Sequence, residues 1–321
     1  MTTLSFAAPV QHLIQRVEER MAQQAEGYND QLYQALTQLM RAGGKRVRPT
    51  VSLLVGGMLD VDTEHTITVA AAVEMLHTAT LVHDDLIDGA TTRRGKATLN
   101  TQWNSSATIL AGDFLFSRAA SLGAEVNNIQ VMQHFARALS TIVNGEINQI
   151  FSRNHIASRE EYYERIYAKT ASMFELAARA PGYLSEVNEQ RGEALMAYGY
   201  GIGVAFQLVD DALDFSSDAE TMGKPVASDL RIGLMTMPSL CYQDEHPDDD
   251  RLQRLQNAET MGDAEMDALV EDIRSSGAVD YTLEAADGHI QDAIDALQGL
   301  PDGPERQALI ELAEYVVERK H

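Results

Sequence analysis

Two short acidic segments carry the strongest chemical signal in this sequence. Asp84-Asp85-Leu86-Ile87-Asp88 closes one apolar run, and Asp210-Asp211-Ala212-Leu213-Asp214 closes another. In each, the first and last carboxylates stand four residues apart, so on a helix they project from one face. Two carboxylates one turn apart on an apolar helix repel each other and lose hydration unless a cation compensates them. Oxygen-only donors of this kind suit Mg2+, which draws water and substrate phosphate into its shell. One such segment is weak evidence, because helix ends carry solvated acidic clusters by chance. Two copies, each after an apolar run, point to a metal–phosphate site.

Phosphate also needs cations, and they stand beside the chain breaks. Gly43-Gly44-Lys45-Arg46-Val47-Arg48-Pro49 places three cations in one tight loop. Arg93-Arg94 follows the first acidic segment, and Lys169-Thr170 and Lys224 complete the set. Arginine suits bidentate phosphate contact and lysine supplies a point charge. These basic islands stand out in a chain with 25 Lys+Arg against 48 Asp+Glu and a net charge of −23. That balance argues against nucleic acid or anionic lipid as a partner, since both need a basic face.

The elements that must hold these groups read as helices almost throughout. Val10, Leu13, Ile14, Val17 and Met21 recur at three- and four-residue steps, as do Val131, Met132, Phe135, Leu139 and Ile142. The stretch 68–88 is apolar nearly all round, which predicts a helix buried inside a bundle. Strand signals are weak, with no alternating Val/Ile/Thr run and no Asn-Gly hairpin. The run at 244–250, Asp-Glu-His-Pro-Asp-Asp-Asp, reads as a solvated loop. No long linker, repeat or low-complexity stretch divides the chain, so residues 1–321 are expected to form a single all-α domain. One cysteine, Cys241, excludes an intrachain disulfide framework and fits a reducing compartment. No apolar stretch has the length of a membrane span, and no basic region precedes the apolar part of the N-terminus. The expectation is a cytoplasmic protein without stable membrane insertion.

In order and spacing, the segments Gly-Gly-Lys-Arg-Val-Arg-Pro, Asp-Asp-Leu-Ile-Asp with Arg93-Arg94, Gly145–Gln149, Lys169–Glu175, Phe206–Asp214 and Met222–Pro225 resemble the trans-isoprenyl diphosphate synthases. The likeness covers roughly residues 40–240 and is closest in kind to the long-chain octaprenyl and solanesyl enzymes. It implies a single large helical bundle around a central catalytic cavity, normally a homodimer, with Mg2+ as cofactor. It also implies two substrates, isopentenyl diphosphate and an allylic diphosphate. Lys45, Arg48, His77 and Arg94 match positions that hold the diphosphate of isopentenyl diphosphate. Asp84, Asp88 and Asp210 match the Mg2+ ligands, with Asp211 and Asp214 supporting, and Asp214 is counted in the metal set. Arg93, Lys169, Thr170, Gln207 and Lys224 match the allylic diphosphate site. His77 lies seven residues before Asp84, on nearly the same helical face, although taken alone a buried histidine is more often a satisfied core residue. One position departs from the pattern: Leu234 stands where many members carry a lysine toward the allylic diphosphate.

The implied reaction ionises the allylic diphosphate, lets the isopentenyl double bond attack the cation, and returns a proton to the released diphosphate. An apolar cavity keeps water from the cation. Three other readings compete with this one. A terpene cyclase shares the first acidic segment but does not need Lys45, Arg48 and Arg94. A non-catalytic subunit of a heteromeric synthase is supported only by Leu234. An HD-type phosphohydrolase, suggested by His83-Asp84, lacks the further His and Asp ligands. Chain length rests on Ala79 and Thr80, five and four residues before Asp84, where short-chain relatives tend to place aromatics. Small residues there leave the shaft open, Gly123 would line a lower level, and Phe135 reads either as the floor or as a plain core residue. With Thr80 one turn below Asp84 and nothing to block the descending tail, the expected product is long and all-trans, about C40 within roughly C30–C50, made from a farnesyl or geranylgeranyl primer.

Overall fold

The structure is a computed structural model that describes residues 5–41, 44–93, 95–151, 158–216, 226–257 and 259–318. A 3-10 turn, Ser5–Val10, leads into α1 (Gln11–Gln23), α2 (Asp30–Arg41), α3 (Val47–Met58) and the long α4 (Thr63–Ile87). After a short hairpin come α5 (Leu99–Gln102), α6 (Ser105–Glu125), α7 (Ile129–Phe151) and α8 (Arg159–Ile166). A π-helical turn, Tyr167–Ala171, joins α8 to α9 (Ser172–Tyr183), and α10 (Glu189–Ser216) follows. The rest comprises α11 (Ser228–Arg231), α12 (Met237–Glu245), α13 (Arg251–Gln256), α14 (Asp263–Ser275), α15 (Ala278–Ala296) and α16 (Pro304–Glu318).

Polar residues in the breaks start these helices. Asn29, Asp62, Asn104, Asn128 and Asn188 each accept a hydrogen bond from a backbone N–H two or three residues on. Ser158 and Glu161 form a reciprocal capping box at α8. The hairpin between α4 and α5 departs from the helical expectation. Thr92–Arg93 (β1) pairs antiparallel with Lys96–Ala97 (β2), and Gly95, at φ +72°, supplies the left-handed turn.

The helices fall into two compact units, each assembled from three stretches of chain. The first comprises residues 1–139, 173–196 and 299–311. Its core holds Phe6, Met21, Leu36, Leu53, Leu54, Met75, Leu76, Leu115 and Phe174, all essentially without solvent contact. Here α4 packs along α6 and α3. After an exposed start at residues 63–65, the expected all-round burial of α4 holds from Thr66 to Leu76, and solvent returns at His77 and Thr78. The second unit comprises residues 140–172, 197–298 and 312–321. Its core includes Tyr162, Tyr198 and Phe215, and α12 packs on α15.

The acidic run 244–250 is exposed, as a solvated segment should be, except at Asp249, which is half-buried. Asp249 accepts hydrogen bonds from Tyr242 Oη (2.8 Å) and from Arg251 Nε (3.1 Å), and Arg251 also reaches Asp272 (2.7 Å). These donors hold the Asp249 carboxyl well below the usual carboxylate range. The sequence pattern hid this because Arg251 and Asp272 lie on elements beyond the run.

In the first unit, His134 is 6% exposed, with Nδ1 3.3 Å from the Tyr183 hydroxyl. Burial, and then the charges of Arg137 and Arg179, push its imidazole down to about 4. Between pH 6.5 and 4 the unfolded chain therefore binds a proton that the folded chain refuses, and stability drops as the pH is lowered through that window. The full contribution is on the order of 3 kcal/mol. Urea unfolding at pH 7 and pH 5 should show a shallower pH slope for His134→Gln than for wild type. Parallel slopes would exclude His134 as a source of acid sensitivity.

Candidate functional site

In the first unit the structure places Asp84 on the last turn of α4 and Asp88 as its exposed C-cap. Asp85, one residue on, turns inward and is 5% exposed. It accepts a hydrogen bond from Arg93 Nε at 2.7 Å, so the hairpin arginine is docked onto the helix that carries the acidic pair. His77 lies two turns back on α4 and is half-buried, whereas Ala79 and Thr80 are buried. Thr80 Oγ1 donates to the His77 carbonyl at 2.8 Å. Lys45 is exposed just before α3, and Arg48 on its first turn lays its guanidinium 4.4 Å from the Phe174 ring centre. Phe135 of α7 is buried, and a Cβ at Gly123 of α6 would lie 3.9 Å from its ring and 3.1 Å from Met132 Sδ. Gly123 and Phe135 thus share one level of this unit.

The second unit gathers the remaining described candidates. Asp210 and Asp214 sit half-buried near the C-terminal end of α10. The Asp214 carboxylate accepts from Ser228 Oγ (2.8 Å) and from the Asp229 backbone N–H (3.3 Å). Asp211 repeats the behaviour of Asp85: it is 3% exposed and held from inside. Tyr162 Oη donates to it at 2.7 Å and Gln207 Nε2 at 2.8 Å, while Thr170 Oγ1 donates to Gln207 Oε1 at 3.0 Å. Burial pushes the Asp211 carboxyl up to about 7 against the pull of the Tyr162 and Gln207 hydrogen bonds.

Lys169 and Thr170 lie inside the π-helical turn Tyr167–Ala171. A π turn inserts one residue into a helix and re-aims the side chains around it, and such turns cluster at functional sites. Lys169 Nζ lies 3.1 Å from Glu146 Oε1. Beside it, a Cβ on Gly145 would come within 2.5 Å of Ala168 Cβ, so only glycine lets α7 approach the turn this closely. Leu234, the departure from the family pattern, donates its backbone N–H to the Asp229 carbonyl (2.9 Å) and carries no charge. Arg94 and Lys224 lie outside the described residues.

Sequence reasoning missed the inward partners Arg93 for Asp85, Tyr162 for Asp211 and Glu146 for Lys169. The helical step of about 100° per residue could have separated the middle aspartate of each segment from the outer two. The identity of its partner could not be read, since Tyr162 and Asp211 are 49 residues apart.

As donors, the outer aspartates fit a hard cation. Each segment offers two oxygen ligands, and among the described residues no three His, Cys, Asp or Glu side chains are gathered into a metal cage. Two carboxylates without a cage suit an ion that completes its shell with water and phosphate.

An all-α chain whose long helices end in paired carboxylates defines a class, the isoprenoid synthase fold. The chain belongs to the polyprenyl synthetase family, whose model matches residues 29–273. It is 34% identical to the octaprenyl diphosphate synthase of Escherichia coli strain K12, over 95% of this chain and 99% of that one. A solved polyprenyl synthase from Caulobacter crescentus, complexed with calcium and isoprenyl diphosphate, is 34% identical. It covers both chains fully at a TM-score of 0.90. A geranylgeranyl pyrophosphate synthetase from Pyrococcus horikoshii is 33% identical over 98% of both chains, with a TM-score of 0.88. The protein is a prenyltransferase, a prenyl diphosphate synthase of a divalent-metal-dependent family. No described helix is long and apolar enough to cross a membrane.

Proposed function

We propose that this chain uses Mg2+ to condense isopentenyl diphosphate onto an allylic diphosphate, making an all-trans polyprenyl diphosphate of octaprenyl length, about C40. The observation that carries this reading is the repeated acidic segment, each copy placing two carboxylates one turn apart at the end of a largely buried helix. In this reading Asp84, Asp88, Asp210 and Asp214 hold Mg2+, and residues 1–321 work as one catalytic domain. Lys45, Arg48, His77 and Arg94 take the isopentenyl diphosphate; Arg93, Lys169 and Lys224 take the allylic diphosphate.

When bound, Mg2+ neutralises charge on the departing diphosphate. The C–O bond of the allylic substrate breaks, leaving an allylic cation and diphosphate. The isopentenyl double bond forms the new C–C bond to that cation, and a proton passes from the adduct to the released diphosphate. Thr170 and Gln207, fixed in the chain of hydrogen bonds that ends at Tyr162, offer oxygen atoms to the developing positive charge. Lys169, aimed by the π turn, stabilises the leaving group.

A homodimer fits the exposed apolar stripe Val143, Ile147, Ile150 and Phe151 on α7, which repeats at helical spacing. We place the enzyme in the cytoplasm, in keeping with its single thiol and its acidic charge. A geranylgeranyl-length product is the second reading, favoured by the similarity to the Pyrococcus horikoshii protein.

The purified protein, labelled isopentenyl diphosphate, a farnesyl primer and Mg2+ test the proposal, with products separated by reverse-phase chromatography. A ladder ending near eight isoprene units supports it; no incorporation overturns it, and a stop at geranylgeranyl length selects the second reading. The two substrate sites separate kinetically. Arg48→Ala should raise KM for isopentenyl diphosphate more than for the primer, and Lys224→Ala should do the reverse. Equal effects on both substrates would mean that the allocation is wrong.

A further inference from the structure

The segment that leads into the first turn of α3 carries three cations, and the structure sets one apart. Arg46 has φ +49° and ψ +35°, the left-handed region that a side-chain-bearing residue seldom occupies. Such a conformation persists only where the surroundings over-determine it. Its carbonyl accepts from the Thr50 N–H (3.0 Å) and from Thr50 Oγ1 (2.8 Å). Its guanidinium meets two carboxylates: Nη1 donates to Glu74 at 2.7 Å and Nε to Glu18 at 2.9 Å. The side chain is 9% exposed, and Glu74 is 8% exposed on the inward face of α4. Two carboxylates on one guanidinium cancel its attraction for an anion, so Arg46 is unsuited to bind a diphosphate.

Glu74 stands three residues before His77, on the same side of α4. The ion pair therefore ties the start of α3, with Lys45 just before it and Arg48 on its first turn, to the helix carrying His77, within one turn of that histidine. We infer that Arg46 is a positioning residue: clamped by Glu74 and Glu18, it holds Lys45 and Arg48 at the separation from His77 that the isopentenyl diphosphate requires. This rests on the reading that Lys45, Arg48 and His77 bind that substrate. Ligands fixed in place before binding spare the substrate the cost of ordering them, and small misplacements cost large factors in rate.

The test compares Arg46→Gln, Glu74→Gln and the double variant with wild type, measuring kcat, both KM values and thermal stability. Each single variant should raise KM for isopentenyl diphosphate about tenfold or more, with KM for the primer within about twofold. Removing both charges leaves no buried ion unpaired, so the double variant should recover thermal stability. Its KM for isopentenyl diphosphate should nevertheless stay raised. If that KM recovers together with stability, the pair is only structural and the inference fails. If Glu74→Gln lowers KM for isopentenyl diphosphate, Arg46 is itself a ligand and the inference fails. Arg48→Ala serves as the control. Should it leave that KM unchanged, the reading of the loop falls and the inference with it. Should it raise KM while Arg46→Gln does not, only the positioning role is lost.

Discussion

Replacing Asp84 or Asp210 with alanine should leave a folded protein whose turnover falls by roughly a thousandfold or more, about 4 kcal/mol of transition-state stabilisation. Neither carboxylate anchors its helix. Between Thr66 and Leu76 the buried stretch of α4 does that for Asp84, and Gly201 to Ala205 with Leu208 and Val209 does it for Asp210. Each carboxylate lies one turn from a like charge, so its removal also relieves repulsion. What is lost is charge compensation for the departing diphosphate, an interaction that is strongest in the transition state. Circular dichroism checks the fold, and steady-state kcat at saturating Mg2+ checks the chemistry. Turnover within about tenfold of wild type would remove these residues from the proposed metal set.

The second large effect concerns product length. Thr80→Phe should shorten the product to farnesyl or geranylgeranyl length, because Thr80 sits one turn from Asp84 with its hydroxyl folded back onto the His77 carbonyl. Ala79→Phe should act in the same direction, but Ala79 has no solvent contact, so the added ring also strains the core by about 1–3 kcal/mol. Thr80→Phe is therefore the cleaner variant. Phe135→Ala should lengthen the product by opening the level that Phe135 shares with Gly123. It should also cost about 3–5 kcal/mol of stability, since Phe135 is 3% exposed. Reverse-phase chromatography of the prenyl products decides each case. A wild-type product that stops at farnesyl or geranylgeranyl length defeats the open-shaft argument; an unchanged product from Phe135→Ala alone moves the floor and keeps the shaft.

The sequence was most legible where chemistry coincides with local periodicity. The outer aspartates and the burial of α4 follow from spacings of three and four residues, which the helix converts directly into faces. Long-range partners were not legible. Arg46 reads as one cation among three until Glu74, 28 residues on, and Glu18, 28 residues back, are seen to enclose it. Asp85 and Asp211 read as members of acidic clusters until the hairpin and α8 deliver Arg93 and Tyr162. The π turn at Tyr167–Ala171 escaped because its stretch obeys the same apolar pattern as an α-helix, and the extra residue shows only in the backbone. The hairpin at Thr92–Ala97 is too short for alternation to register.

The three-stretch assembly of each unit bears on how the chain emerges from the ribosome. The first unit needs residues 299–311 to finish its core, and the second needs residues from 312 onward. Both demands fall on α16, where Leu309 belongs to one core and Leu312, Ala313 and Val316 to the other. Neither core can close before this helix is made. At about 5–20 residues per second, a chain of 321 residues takes roughly 15–60 s to synthesise. For most of that time the part of each core that α16 completes stays open.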